Sequence, residues 1–350
     1  MNGARPLTGA EWLRPDSPEG DVVLSSRIRL ARNFAGFPFV GRAKREDRRQ
    51  ILQIARRDIM QGGLAAEVMW VDLNEVSPLE RSVLVERHLI SKQHAKGDEP
   101  RAVAISTPDE RLSIMVNEED HLRIQVIRGG LDLSGAFKQI DEIDDKIEAM
   151  SDYAFSTRFG YLTACPTNVG TGIRVSVMLH LPGLKLSGEL EKVKRAASGM
   201  SLAVRGFYGE GSEAVGDFFQ LSNQTTLGKS ERDLLIEFEQ QIVPKVVEYE
   251  RLARRSLVEK RRVILEDRVQ RALGTLRHAR LLKSEEALEM LSFLRLGITL
   301  GIVEGVELST VNNLILLTQP AHLQRLAKHD MEQSERRIER ATVVRKYLGG

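Results

Sequence analysis

A chain of 350 residues, 42% hydrophobic and 29% charged, has the make-up of an ordinary globular protein with room for one large domain or two. Its formal charge of +2 gives no general attraction to nucleic acid or to a membrane surface, although 37 of its 51 basic residues are arginine. The single cysteine, Cys165, excludes an internal disulfide, and no apolar leader or membrane-length apolar run occurs, so a cytoplasmic protein is expected.

Residues 1–20 read as a lead-in dotted with Gly and Pro. Val22–Leu30 then alternates apolar and polar side chains, as a strand does, and Val68–Leu73 and Arg101–Thr107 are rich in β-formers. Leu112–Val116 and Leu122–Arg128 predict a hairpin around Asn117–His121. Between Lys138 and Phe155, Ile140, Ile143, Ile147 and Met150 recur at helical spacing. A short strand is expected at Gly160–Ala164 and another at Arg174–Leu181. From Ser230 the strand signals vanish, and apolar residues recur every three or four positions to Leu348, with Pro244 and Pro320 as kinks or boundaries. The expected class is α+β: an antiparallel sheet flanked by helices over residues 21–252, followed by an all-α domain over 253–350.

A strand period of two puts Arg27 and Arg29 on one face, opposite Leu24, Ile28 and Leu30. By the same count Arg123 opposes Leu122, Ile124 and Val126, and Arg174 opposes Val175 and Val177. Three strands thus each bury one face and offer arginine from the other, which predicts a sheet with helices on one side and a ligand groove on the other. Arg205 opens a further glycine-rich run, Arg205-Gly206-Phe207-Tyr208-Gly209-Glu210-Gly211. Several converging guanidinium forks call for a multiply charged oxyanion, and a nucleoside triphosphate fits best. A Walker A motif is absent, which argues against an ordinary P-loop enzyme.

The strings Ser25-Ser26-Arg27-Ile28-Arg29, Asn117-Glu118-Glu119-Asp120-His121-Leu122-Arg123 and Cys165-Pro166-Thr167-Asn168-Val169-Gly170-Thr171, in this order, resemble the phosphagen (guanidino) kinase family. The resemblance runs from Asp21 to the mid-240s. It implies that Arg27, Arg29, Arg123, Arg174 and Arg205 hold the phosphates of ATP and that His88 lies near the adenine. The main chain of Ser25–Arg29 (Ser25, Ser26, Arg27, Ile28, Arg29), of Arg174–Met178 (Arg174, Val175, Ser176, Val177, Met178) and of Arg205–Gly209 (Arg205, Gly206, Phe207, Tyr208, Gly209) completes the nucleotide pocket. Glu119 and Glu210 match the glutamates that bind a guanidinium. That role has a chemical reason: a free guanidinium keeps its proton well above neutral pH, so a carboxylate must take one as nitrogen attacks phosphorus. Which glutamate is the base stays open. Cys165 matches a residue beside the guanidino group, where a thiolate near arginines tunes substrate position. Mg²⁺ is expected to be held by ATP oxygens and water, with no protein metal cage.

Small-molecule guanidino kinases carry a helical domain of about a hundred residues ahead of this motif order, whereas here only about 25 residues precede Ser25 and a helical domain follows. An opened acceptor side can admit an arginine presented on a polypeptide. Within the family the chain therefore resembles the bacterial protein arginine kinases, also through Asn223-Gln224-Thr225-Thr226-Leu227-Gly228-Lys229-Ser230. That branch implies protein substrates including a heat-shock repressor, a small zinc-binding activator protein and a Clp AAA+ protease, and leaves a homodimer open. It also implies an allosteric phosphoarginine pocket at Arg336, Arg337, Glu339 and Arg340, with arginine at 337 where the branch has aspartate. The competing expectations are a kinase of a free guanidino metabolite and a non-catalytic phosphoarginine-binding scaffold.

Overall fold

The computed structural model describes residues 10–206 and 216–350. In chain order it contains β1 (Val23–Arg32), α1 (Arg45–Gln61), β2 (Val68–Asp72), α2 (Pro78–Glu86), β3 (Ala102–Ser106), β4 (Leu112–Val116), β5 (Leu122–Gly129) and α3 (Leu133–Glu148). The hairpin β6 (Phe155–Ser156) and β7 (Gly160–Tyr161) leads to β8 (Ile173–His180), α4 (Pro182–Leu186), α5 (Leu190–Gly199), β9 (Leu202–Gly206) and β10 (Phe218–Asn223). Helices follow: α6 (Glu231–Ile236), a π-helical turn at Glu237–Ile242, α7 (Val243–His278), α8 (Ser284–Thr299), α9 (Leu308–Leu317), α10 (Pro320–Ala327) and α11 (Gln333–Leu348). No described helix is long and apolar enough to cross a membrane.

The chain gathers into two compact units, and neither is a continuous stretch of sequence. The first comprises Ser25–Val177 with Ser222–Ile242. Its strands run β2-β3-β4-β5-β1-β8, and the pairs from β2 to β1 are antiparallel. Ile28 and Leu30 on β1, Ile114 on β4, and Ile124 and Val126 on β5 share one face by register and are buried. α3 packs on β5 there, bringing Leu133, Ala136, Ile140, Ile143 and Ile147 at helical spacing. This helix starts and ends earlier than the periodicity predicts. Asp132 caps its first turn by accepting the Gly135 N–H at 3.0 Å, and the chain leaves the helix after Glu148 to enter β6.

The opposite face is not open along its whole width. Val103, Ile105 and Met115 project from it and pack with Leu73, Leu84, Leu89 and Ile90, so α2 and the segment after it cover the β2–β4 end. α2 is started by Ser77, whose hydroxyl accepts the Glu80 N–H at 3.1 Å, with Pro78 in the first turn. What remains of that face lies over β5, β1 and the start of β8.

The second unit holds residues up to Leu24, Met178–Leu221 and Val243–Gly350. α7 runs for 36 residues with one non-helical backbone position, Arg261, and packs with α4, α8 and α11. In the lead-in, Glu11–Leu13 form a 3-10 turn with Trp12 and Leu13 buried, and the Leu13 carbonyl accepts the Asn312 side chain at 3.0 Å. A buried polar network ties this unit together. Arg295 donates to the Asp21 carbonyl at 2.9 Å, to the Gly20 carbonyl and to His180 Nδ1 at 2.9 Å. Guanidinium only donates, so His180 carries its proton on Nε2, which meets Ser292 Oγ at 2.8 Å; Ser292 in turn donates to Asp217 at 2.9 Å. Arg254 binds Glu250 at 2.6 Å, and Glu250 accepts the Gly183 and Leu184 N–H groups, satisfying the free amides at the start of α4.

Candidate active site

The β1–β5 register decides which side chains meet. Arg27 opposes Ile127, Arg29 opposes Gln125, and Ala31 opposes Arg123, so Arg27, Arg29 and Arg123 share the face away from α3. β8 joins them through Ser176: Arg27 Nε lies 3.4 Å from Ser176 Oγ, and that hydroxyl donates to the Arg27 carbonyl at 3.3 Å. Arg174 acts electrostatically on both Arg27 and Arg29. Four guanidinium groups from three strands therefore crowd one patch, as the alternation predicts.

The patch is electrostatically unbalanced. Burial, then the charges of Arg123 and Arg174, push the Arg27 guanidinium down to about 9. Burial, then Arg27, Arg123 and Arg174, drive Arg29 well below its ordinary value, with Glu118 alone opposing. Arg29 Nε is buried with no hydrogen-bond partner among the described residues. A buried orphan donor among like charges is costly until an anion arrives, and the arrangement fits a phosphate chain.

Glu118, which sequence reasoning sets outside the direct participants, is the carboxylate that holds Arg123. Its carboxylate accepts from Arg123 at 2.9 Å, from Ser91 Oγ at 2.6 Å and from the Glu119 N–H at 2.9 Å. Burial pushes this carboxyl up, but the charge of Arg123 and these hydrogen bonds outweigh it and hold it at about 2. Glu118 thus aims Arg123. Glu119 behaves oppositely: burial, then the charges of Asp120 and Glu118, raise its pKa against the pull of Arg123 and Arg174. A carboxylate with raised basicity beside the crowded arginines suits proton acceptance.

His88, in the left-handed backbone region at φ 61°, reaches the same face, where its carbonyl accepts from the Gln125 side chain at 2.8 Å. Burial, then Arg27 and Lys92, push its imidazole down to about 3, so it is neutral at working pH. Cys165 follows a strand shorter than expected, only Gly160–Tyr161, and precedes a 3-10 turn at Pro166–Asn168. Its sulfur lies 3.0 Å from Thr167 Oγ1. The loop after it is pinned from outside. Thr226 Oγ1 donates to the Val169 carbonyl at 2.8 Å, and Arg32 donates to the Thr171 carbonyl at 2.9 Å while pairing with Asp144 and stacking 3.7 Å from the Tyr161 ring centre. Gly172, at φ +67°, has no room for a side chain: a Cβ there would lie 2.7 Å from Arg32 Nη1.

Of the expected residues, Ser25 to Arg29, His88, Glu119, Arg123, Cys165 and Arg174 to Val177 belong to the first unit. Met178, Arg205 and Gly206 belong to the second, with Arg205 on β9. Phe207, Tyr208, Gly209 and Glu210 lie outside the described residues. No three His, Cys, Asp or Glu side chains converge as a metal cage among the described residues.

Arg336, Arg337 and Arg340, on α11, line a cleft of about 230 Å³ together with Lys283, Ser284 and Glu285 at the start of α8. Arg340 is buried and donates to the Thr318 and Leu282 carbonyls at 2.7 and 2.9 Å. Glu339 is not in the lining; Glu285 is the carboxylate there.

Residues 51–253 match the ATP:guanido phosphotransferase C-terminal catalytic domain, and residues 262–350 match the protein-arginine kinase McsB C-terminal domain. Over 342 residues the chain is 46% identical to the protein-arginine kinase of Symbiobacterium thermophilum, covering 97% of this chain and 96% of that one. The chain belongs to the protein-arginine kinase branch of the ATP:guanido phosphotransferase family. The protein-arginine kinase of Halothermothrix orenii is 43% identical over 340 residues, covering 97% and 96% of the two chains. Among solved structures of the family, the duplicated taurocyamine kinase of Schistosoma mansoni with bound transition state analogue components aligns with a TM-score of 0.61 at 26% identity, over 71% of this chain and 36% of that one. Lombricine kinase aligns with a TM-score of 0.58 at 25% identity, over 71% and 72%.

Proposed function

We propose that this chain is an ATP-dependent protein-arginine kinase, and the crowded face of Arg27, Arg29, Arg123 and Arg174 is the observation that carries the reading. Those guanidinium groups, with Arg205, take the phosphates of ATP as substrate; His88 lines the adenine side, and the backbone of Ser25–Arg29, Arg174–Met178 and Arg205–Gly209 holds the rest. A guanidino nitrogen of the acceptor arginine attacks the γ-phosphorus, the bond to the β-phosphate bridging oxygen breaks, and ADP leaves. The proton lost from nitrogen goes to Glu119 or Glu210, the other carboxylate holding the guanidinium in line. Cys165 orients that group without a covalent bond. Mg²⁺ bound to the nucleotide would neutralise phosphate charge and would take its ligands from ATP oxygens and water.

Residues 21–252 then serve catalysis and 253–350 regulation or substrate binding. The cleft at Arg336, Arg337 and Arg340 takes the phosphoryl group of a phosphoarginine, with Glu285 in reach of its guanidino side in place of Glu339. In the cytoplasm the modification would mark proteins for a Clp-type protease and silence a heat-shock repressor, with a small zinc-binding protein as activator. Relatives at 43–46% identity across nearly the whole chain favour a protein acceptor over the small guanidines of structures at 25–26%. The test is to incubate the chain with ATP and casein or free arginine and map acid-labile phosphate by mass spectrometry. Phosphoarginine on casein is expected; turnover on free arginine alone would replace this reading.

A further inference from the structure

One knot of side chains joins the acceptor elements to each other and lies outside the roles given above. Asn33 and Asp120 are both buried. Asn33 Nδ2 donates to Asp120 Oδ1 at 2.6 Å and to the Leu162 carbonyl at 3.0 Å, while Asn33 Oδ1 accepts the His121 N–H at 2.9 Å. Asp120 Oδ1 also accepts the Ala164 N–H at 2.7 Å. The amide thus uses both of its donors and its acceptor, and the carboxylate oxygen takes two donors.

Three segments meet in this knot. Asn33 directly follows β1, the strand of Arg27 and Arg29; Asp120 directly follows Glu119; Ala164 directly precedes Cys165. We propose that Asn33 and Asp120 are positioning residues, a strut that fixes the Glu119 turn and the Cys165 segment to the end of the phosphate-binding strand. The proposal rests on the kinase reading. The residue types are demanded by the geometry. A hydroxyl at 33 offers one donor where two are used, and a carboxylate at 33 would face Asp120 with no proton to share. In-line transfer depends on holding the acceptor nitrogen within a fraction of an ångström, so loosening the strut slows chemistry while leaving the nucleotide side intact.

Cys165 is the only cysteine in the chain, so the rate at which a thiol reagent labels the protein reports this segment alone. The experiment uses the full chain and three variants: Asn33→Ala, Asn33→Asp, and Asn33→Asp combined with Asp120→Asn. For Asn33→Ala, ADP affinity should stay within about twofold, turnover on casein should fall on the order of tenfold or more, and Cys165 labelling should quicken several-fold. The double variant restores the amide–carboxylate contact in reversed order, though not the donor to the Leu162 carbonyl, and should recover part of the turnover and slow labelling relative to Asn33→Asp. Wild-type labelling rates in both single variants overturn the proposal, as does a parallel fall of turnover and ADP affinity. If Asn33→Ala does not fold, the double variant against Asn33→Asp decides, and no recovery overturns the strut. Should wild type leave casein unmodified, the kinase reading fails, while labelling and ADP binding still judge the strut.

Discussion

Glu118 and Arg123 form a 2.9 Å ion pair at the mouth of a turn whose next residue, Glu119, faces the same arginine patch. Neighbouring acids are therefore held oppositely: the charge of Arg123 and its hydrogen bonds keep Glu118 ionised, while burial and the charges of Asp120 and Glu118 raise the pKa of Glu119. Replacing Glu118 with Gln removes the carboxylate that pairs with Arg123 and opposes the crowding of Arg29. The apo protein should lose roughly 2–3 kcal/mol, on the low side for a buried pair because Arg123 stays 22% exposed. Saturating ADP should recover more of that loss than it adds to wild type. Thermal unfolding with and without ADP measures both; an equal ADP shift in the two proteins would separate Glu118 from the nucleotide site.

Arg29→Met should act with opposite signs on stability and binding. It removes a buried, like-charge-crowded guanidinium, so the urea midpoint of the apo protein should hold or rise. On the proposed phosphate role of Arg29, ADP affinity should weaken by ~2–4 kcal/mol. A variant that is less stable yet binds ADP normally would make Arg29 a structural residue.

Glu119→Gln keeps shape and removes one of the two carboxylates proposed to take the proton. Turnover should drop on the order of 10²–10⁴ with nucleotide affinity retained, and Glu210→Gln should behave alike if the two share the guanidinium. The pH profile carries a further sign. Glu119 must be ionised to accept a proton, and its pKa is raised by burial and by Asp120 and Glu118. Activity is complete above that raised value and falls as pH drops through it. The acid limb should therefore sit above the ordinary glutamate range and disappear in Glu119→Gln.

In the α8–α11 cleft, Arg337→Ala is the cleaner probe, because Arg340 already holds two backbone carbonyls and its loss would disturb packing as well as binding. Free phosphoarginine should bind wild type and raise its initial rate, a coupling of about 1–3 kcal/mol. The variant should bind at least tenfold more weakly with unchanged basal turnover. Equal calorimetric titrations of the two proteins would leave the cleft without this ligand.

How much of this was legible follows from the range of each interaction. The arginine face was readable because strand alternation is local: Arg27 and Arg29 declare their side within three residues, and Arg123 and Arg174 do so on their own strands. Glu118 and the Asn33–Asp120 strut were not, since they depend on partners up to 129 residues away that no local period announces. α1 was missed for another reason: only Ile51, Ala55 and Ile59 of its apolar residues are fully buried, and Leu52, Ile54 and Met60 beside them blur the stripe. α3 was seen but misplaced, because its start is set by the Asp132 cap rather than by its apolar residues.

The buried contacts of Arg295 carry a practical consequence for dissecting the protein. Gly20, Asp21 and His180 precede the change to helical composition, while Arg295 and Asn312 come after it. A gene fragment stopped at residue 252 would encode every candidate catalytic side chain yet leave His180 Nδ1, the Asp21 carbonyl and Trp12 with their covering helices deleted. Such a fragment should be insoluble or molten unless the missing helices are supplied in trans, so residues 1–252 and 253–350 should not purify as independent modules.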